Sequence, residues 1–278
     1  MITFRFFEAS PSLSSCINYY IVATVTDDND LPASQEVYPI TMTGLNFIQT
    51  SDLLQYREID GLHSVPPTGL IGQMTEKKTV YFCKPGVIVT AVFTVTGLHR
   101  LFGIPMHEVT GKVLEGAEIL RDPRLFAIRQ EIFDNFSPDA AIAIIERHFN
   151  SRLNATKKDL RVMEDIVQYI NDRKGDVDVD ALTRHSNMSA KTLERHFAEK
   201  IGLNPKFFSR IVRFSHAMKM VEGQKNIFEI IDSCGYSDQA HLIREFKHFT
   251  GRTPVYGYVG LEEMPRLFLD NLGLDVPA

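Results

Sequence analysis

The chain has 278 residues and a mass of 31.6 kDa, more than one compact core usually holds, so two domains are expected. Hydrophobic residues make up 44% and charged residues 23%, which excludes a disordered chain or a fibrous repeat. The net charge of −5 conceals a split: Ala181 to Gly260 carries 12 Lys and Arg against 7 Asp and Glu, and the remainder 18 against 28. A basic C-terminal piece on an acidic protein is the charge asymmetry expected of nucleic-acid contact.

The N-terminal residues Met1 to Ser10 alternate Phe with charged side chains and lack the order of a secretory signal. The most apolar stretch, Val87 to Leu98, is broken by Thr90, Thr94 and Thr96 and falls short of the ~20 residues of a membrane span; it reads as a buried strand. A cytoplasmic protein without membrane contact is expected. Cys16, Cys83 and Cys234 lie too far apart in sequence for a disulfide framework or a paired metal spacing.

Up to about Thr96 the pattern is strand-like. Ile17 to Val25, Leu45 to Ile48 and Thr79 to Cys83 are rich in β-branched and aromatic residues, with Gly and Pro between them. After Gly97 the apolar period moves towards 3.6, with Leu98, Leu101 and Phe102, then Leu125, Ile128, Ile132 and Phe133. Ser137-Pro138-Asp139 is a helix start: a cap, a first-turn Pro and an acid at the positive end of the dipole. Residues 1–150 thus read as a mainly β domain, a sheet backed by helices, followed by a polar linker over Ser151 to Lys158. Beyond it Leu160, Met163, Ile166, Val167 and Ile170 form an amphipathic stripe ending near Lys174-Gly175. Helix is expected from there to Val259, and 261–278 stays unassigned. The fold class is therefore α+β: a β-rich domain over 1–150 and an all-helical domain over 159–260.

A shift of 49 residues superimposes Leu193, Arg195, Phe197, Gly202 and Pro205 on Leu242, Arg244, Phe246, Gly251 and Pro254, so one supersecondary unit occurs twice. Each copy reads as a short helix, a tight turn and a second helix closed by Gly, with Ser189 and Asp238 placed to cap. Gly235 supplies the turn in the second copy; Ser186 to Met188 serve in the first. Leu193 and Phe197, four apart, share one face, and Arg195 points about 160° away from their mean on an ideal helix, with Lys191 one turn before it. An outward Arg can offer two parallel donors to guanine O6 and N7, and Gln239 can pair with adenine. The bland alternative, solvated helix-surface charges, does not explain why Arg195 and Arg244 recur in one frame. Asn204-Pro205 starts a helix running to about Val221, roughly 25 Å long at 1.5 Å per residue, a brace between two reading heads.

These residues resemble the AraC/XylS family of bacterial transcription regulators over about Asp159 to Val259. The sharper match runs from Ile227 through Gly235-Tyr236-Ser237-Asp238-Gln239 and His241 to Lys247, ending in Gly251-Arg252-Thr253-Pro254. The resemblance implies DNA contacts from Lys191, Thr192 and Arg195 in the first unit and from Gln239, Ala240 and Arg244 in the second. The first copy departs by lacking Gly in its turn. The front half is similar to an uncharacterised sensor-like domain attached to some of these regulators, through Phe4 to Tyr20, Gly69 to Gln73 and Phe93 to Pro105; it implies an effector or dimerisation domain and carries over no ligand-binding residues.

The function expected is sequence-specific reading of adjacent major grooves, with an unidentified effector or partner acting through the N-terminal domain. The partners are double-stranded DNA and RNA polymerase, with a small-molecule effector and a second copy of the chain as further candidates; an activator that needs no cofactor is the working reading. The alternative is a DNA repair enzyme with a reactive cysteine, for which Cys83 beside Lys84 is the candidate, although the setting expected of such enzymes is missing. No phosphate loop, nucleophile elbow or zinc-protease helix occurs. His63, His99 and His107 could converge with Glu108 on a metal or satisfy local hydrogen bonds, and Phe47, Tyr56 and Tyr81 could be core or pocket lining.

Overall fold

A computed structural model describes residues 1–26, 31–155, 159–254, 266 and 270. The expected end of the helical domain, 255–260, and nearly all of the tail 261–278 lie outside the described residues. Two antiparallel sheets form the front half. The larger orders its strands β1 (Ile2–Glu8), β2 (Ile17–Val25), β9 (Gly86–Phe93), β4 (Thr43–Ile48), β7 (Gly69–Ile71) and β10 (Val113–Glu115); the smaller orders β3 (Ala33–Val37), β8 (Lys78–Phe82), β5 (Leu54–Glu58) and β6 (Gly61–Ser64).

The period-two alternation of a strand sends each side of the large sheet to a different core. Tyr20, Val22, Leu45, Phe47, Val89, Ala91 and Phe93 face the helices α1 (Gly97–Phe102), α3 (Arg124–Asp134) and α4 (Pro138–Ala155) and pack with Leu101, Leu125, Ile132, Ile145 and Phe149. The intervening residues Ala23, Ile48 and Ile88 face the small sheet and meet Leu54 and Phe82. The sequence had suggested one sheet backed by helices. The second sheet was missed because its strands mix charged and apolar residues on half-exposed edges, as in the Ser34-Gln35-Glu36 run.

Two expectations are corrected. The apolar stretch 87–98 is not one strand: β9 ends at Phe93, and Gly97 begins α1. The polar stretch 151–158 is not all linker, because α4 continues through Ala155, with Phe149 and Leu153 against the sheet core; residues 156–158 lie outside the described residues. The periodic apolar positions of α4 outweigh the local preference of its Ser and Asn for turns.

Asp122, only 1% exposed, joins the helices of this half: its carboxylate meets Arg152 at 2.6 Å, His148 at 2.8 Å and Arg124 at 3.0 Å. Burial pushes its carboxyl up, but Arg124, His148 and Arg152 outweigh that and hold it below the ordinary range. Burial lowers the His148 pKa and outweighs the pull of Asp122. Both depressed values destabilise in acid. As pH falls below the ordinary histidine value of about 6.5 the unfolded chain takes up a proton that folded His148 resists, and the Asp122 contribution is lost further down, as pH falls through its folded value. The urea midpoint is therefore expected to fall from pH 7 to 5.5, with a flatter profile in His148→Gln, whose amide can still donate to Asp122. A profile parallel to wild type would assign the upper loss to other groups.

The helical half contains α5 (Arg161–Asp172), α6 (Val179–Ser186), α7 (Ala190–Lys200), α8 (Pro205–Glu222), α9 (Ile227–Ser233) and α10 (Gln239–Thr250). Leu160, Met163, Ile166, Val167 and Ile170 are all buried in its core. Several contacts join it to the sheets. Arg100 pairs with Glu164, Thr110 Oγ1 donates to the Gly202 carbonyl at 2.8 Å, and Tyr38, next to β3, is buried among the helical-core residues.

Candidate nucleic-acid interface

The repeated unit is built twice, as α6–α7 and α9–α10. Ser189 caps α7 by accepting from the Thr192 backbone N–H, and Asp238 caps α10 by accepting from His241, which settles one orphan donor at each N-terminus. Gly202 and Gly251, matched by the 49-residue shift, follow the two helices at φ +93° and +74°, a backbone conformation that a Cβ disfavours. The first turn, which lacks Gly, is made by Asn187 at φ +54°; a short polar side chain tolerates this conformation. It is also shorter, with three residues between helices against five in the second copy. The 49-residue register therefore holds at the start of the second helices, whereas the first helices begin one residue and end two residues out of it.

Leu193 and Phe197 in α7, and Leu242 and Phe246 in α10, are buried. On the opposite faces Lys191, Arg195, Gln239, Ala240 and Arg244 are exposed, and Thr192 is half-buried, its hydroxyl accepting from Ser189 Oγ at 3.0 Å. Arg195 and Arg244 have no ion pair among the described residues. The structure thus brings three candidate residues together on each second helix. Sequence reasoning passed over Lys247, exposed on α10 one turn beyond Arg244; the i to i+3 spacing was its signal.

The helix α8 runs from the predicted Pro205 to Glu222, about 27 Å at 1.5 Å per residue. It meets α7 through Phe208 and Phe197, ring centroids 5.9 Å apart, and α10 through Phe214, whose ring lies 5.3 Å from Phe246 and 4.7 Å from Phe249. Arg210 of α8 grips buried Glu245 of α10 at 2.8 and 3.1 Å. Both reading helices therefore hang on one rigid element, with their cationic faces outward.

The alternative chemistry fails on its own residues. Burial and the neighbouring Asp52 push the Cys83 thiol up, against the pull of Lys84, whose ammonium sits 3.7 Å from Asp52. A raised pKa disfavours the thiolate nucleophile. Among the described residues no three His, Cys, Asp or Glu side chains cluster to hold a metal; His63 bonds Asp60 at 2.8 Å and His99 Nδ1 lies 2.8 Å from the Ile104 carbonyl. Among the described residues no helix is long and apolar enough to cross a membrane.

Two helix-turn-helix units braced by one helix define a DNA-binding protein of the double helix-turn-helix class. Residues 182–255 match the family profile "Helix-turn-helix domain", and 5–115 match a domain of unknown function, DUF6597. No curated protein matches the sequence. Among solved structures, ToxT from Vibrio cholerae O395 is 12% identical over 94% of this chain and 99% of that one, with a TM-score of 0.44. The same protein bound to (E)-4-(8-methylnaphthalen-1-yl)but-3-enoic acid aligns at 12% identity over 97% and 99%, TM-score 0.45. The AraC-like transcriptional activator CuxR aligns at 14% over 84% and 91%, TM-score 0.30. The chain thus carries an AraC-type helix-turn-helix domain over 182–255, behind a domain of unknown function over 5–115.

Proposed function

We propose that this regulator reads two adjacent major grooves, with Lys191, Thr192 and Arg195 of α7 and Gln239, Ala240 and Arg244 of α10 contacting bases or phosphates. The observation that carries this reading is the pair of outward cationic helix faces held by α8. Residues 159–260 form the DNA-binding unit. Residues 1–150 form an effector and dimerisation unit whose state alters DNA occupancy and the recruitment of RNA polymerase, as an activator.

Support for the coupling comes from where the front half touches the helical half. Thr110 binds the carbonyl of Gly202 at the end of α7, and a Cβ on Gly202 would come 2.3 Å from Thr110 Oγ1. Glu36 of β3 accepts from Arg252, just past α10, at 3.0 Å and from Lys77 at 2.7 Å, while Tyr38 donates to it at 2.6 Å. Burial would raise the Glu36 carboxyl, but Lys77, Tyr38 and Arg252 hold it below its ordinary value. A shift of the small sheet would therefore pull on the end of the second unit.

The test is selection of duplex DNA from a random pool by the full chain, followed by affinity for the winner across a salt series. Specific binding that falls steeply with salt is expected. Recovery of no sequence preference would overturn the regulator reading.

A further inference from the structure

Between the two sheets lies an apolar cavity of about 120 Å³. Its walls include Ile21, Ala23, Ile88 and Val92 of the large sheet and Val80 and Phe82 of the small one. Asn46 of β4 stands on this inner face, paired across the strands with Thr90. Thr90 Oγ1 donates to Asn46 Oδ1 at 2.7 Å, while Asn46 Nδ2 has no hydrogen-bond partner among the described residues although Asn46 is only 2% exposed. An unmet amide donor facing apolar space loses its hydration without a replacement partner, which is unfavourable. A lone water there would find few of the two to four polar partners it needs.

The charge of the walls narrows the occupant. Lys78 is the one ionisable cation among the described lining residues. Its ammonium is already held by Glu58 at 2.7 Å and lies 5.4 Å from the Tyr56 ring centroid. A carboxylate placed at Asn46 would be buried without a counter-ion, which is far costlier than burying a neutral head. In size the space approaches the apolar cavity of roughly 150 Å³ that takes benzene.

We infer that this cavity is a ligand site for a small uncharged molecule whose apolar body, a single ring or short alkyl chain, fills the space between the sheets while one carbonyl or hydroxyl oxygen accepts from Asn46 Nδ2. A hydroxyl head can also donate to Thr90. The inference supplies a ligand class to the effector reading above and rests on it only for the consequence at DNA. The wall that carries Val80 and Lys78 is β8, which pairs along its length with β3, the strand of Glu36, so the ligand sits one strand from the Arg252 contact.

The experiment is calorimetric titration of the full chain with acetophenone, benzyl alcohol, toluene and benzoate, with operator affinity measured in parallel. Acetophenone and benzyl alcohol are expected to bind at least about tenfold more tightly than toluene and benzoate, since one satisfied buried donor is worth that factor. In Asn46→Leu the advantage over toluene should disappear while toluene still binds. Ala23→Leu, which extends a side chain into the space, should abolish binding of all four. Benzoate binding as tightly as acetophenone, or no saturable binding of any probe at millimolar concentration, would overturn the inference. Saturable neutral-ligand binding with unchanged operator affinity would leave the ligand class standing and overturn the effector coupling instead.

Discussion

Replacing Arg195 by Ala is expected to weaken binding to the selected operator about ten- to a hundredfold and to relax preference at one position, the cost of a lost bidentate contact to guanine being roughly 1–3 kcal/mol. Arg244→Ala should do the same at a different position, one helical turn of DNA away. The two side chains are on separate helices with separate surroundings, so the losses should add in free energy. The double variant would then retain little beyond salt-sensitive, non-specific attraction. Both side chains are exposed and make no ion pair among the described residues, so thermal stability should be unchanged. Lys247→Ala provides the contrast: a phosphate contact predicts uniform weakening on every sequence and a salt slope reduced by about one. Wild-type base preference in both Arg variants would remove these residues from the reading surface.

The largest stability effect is expected at Phe214, midway along α8. It is 1% exposed and contacts the rings of Phe246 and Phe249. Phe214→Ala should cost about 3–5 kcal/mol, the transfer and cavity cost of a fully buried Phe, a large part of the roughly 5–15 kcal/mol that holds a domain folded. The loss falls on the contact between brace and second unit, so amide protection across α9 and α10 should collapse before that of the sheets, and the operator half read by α10 should be lost first. Phe228 is 72% exposed on α9, and Phe228→Ala should move the urea midpoint by far less. Equal effects would mean that α8 does not brace α10.

Much of the interface was legible because its signals are local. The buried pair Leu193 and Phe197 and outward Arg195 follow from 3.6-residue periodicity, the caps at Ser189 and Asp238 from side chains that reach their own first turn, and the start of α8 from Pro205 at its first position. Asn187 was the harder case: nothing local marks one Asn as the left-handed residue of a turn until the packing of α6 against α7 requires it. The end of α4 was misjudged for the same reason, as its last polar residues follow a helix held by burial of Phe149.

The amino-acid sequence by itself determined that this is a double helix-turn-helix protein with a β-rich front half, because helix period, caps and the 49-residue repeat act between residues a few positions apart. The tertiary structure alone decided that the front half has two sheets, that Asn46 faces an apolar cavity with a donor unmet, and that Glu36 meets Arg252, 216 positions away. Such pairings depend on strand register and on how two cores meet, and a strand's alternation names two faces without saying what each will cover.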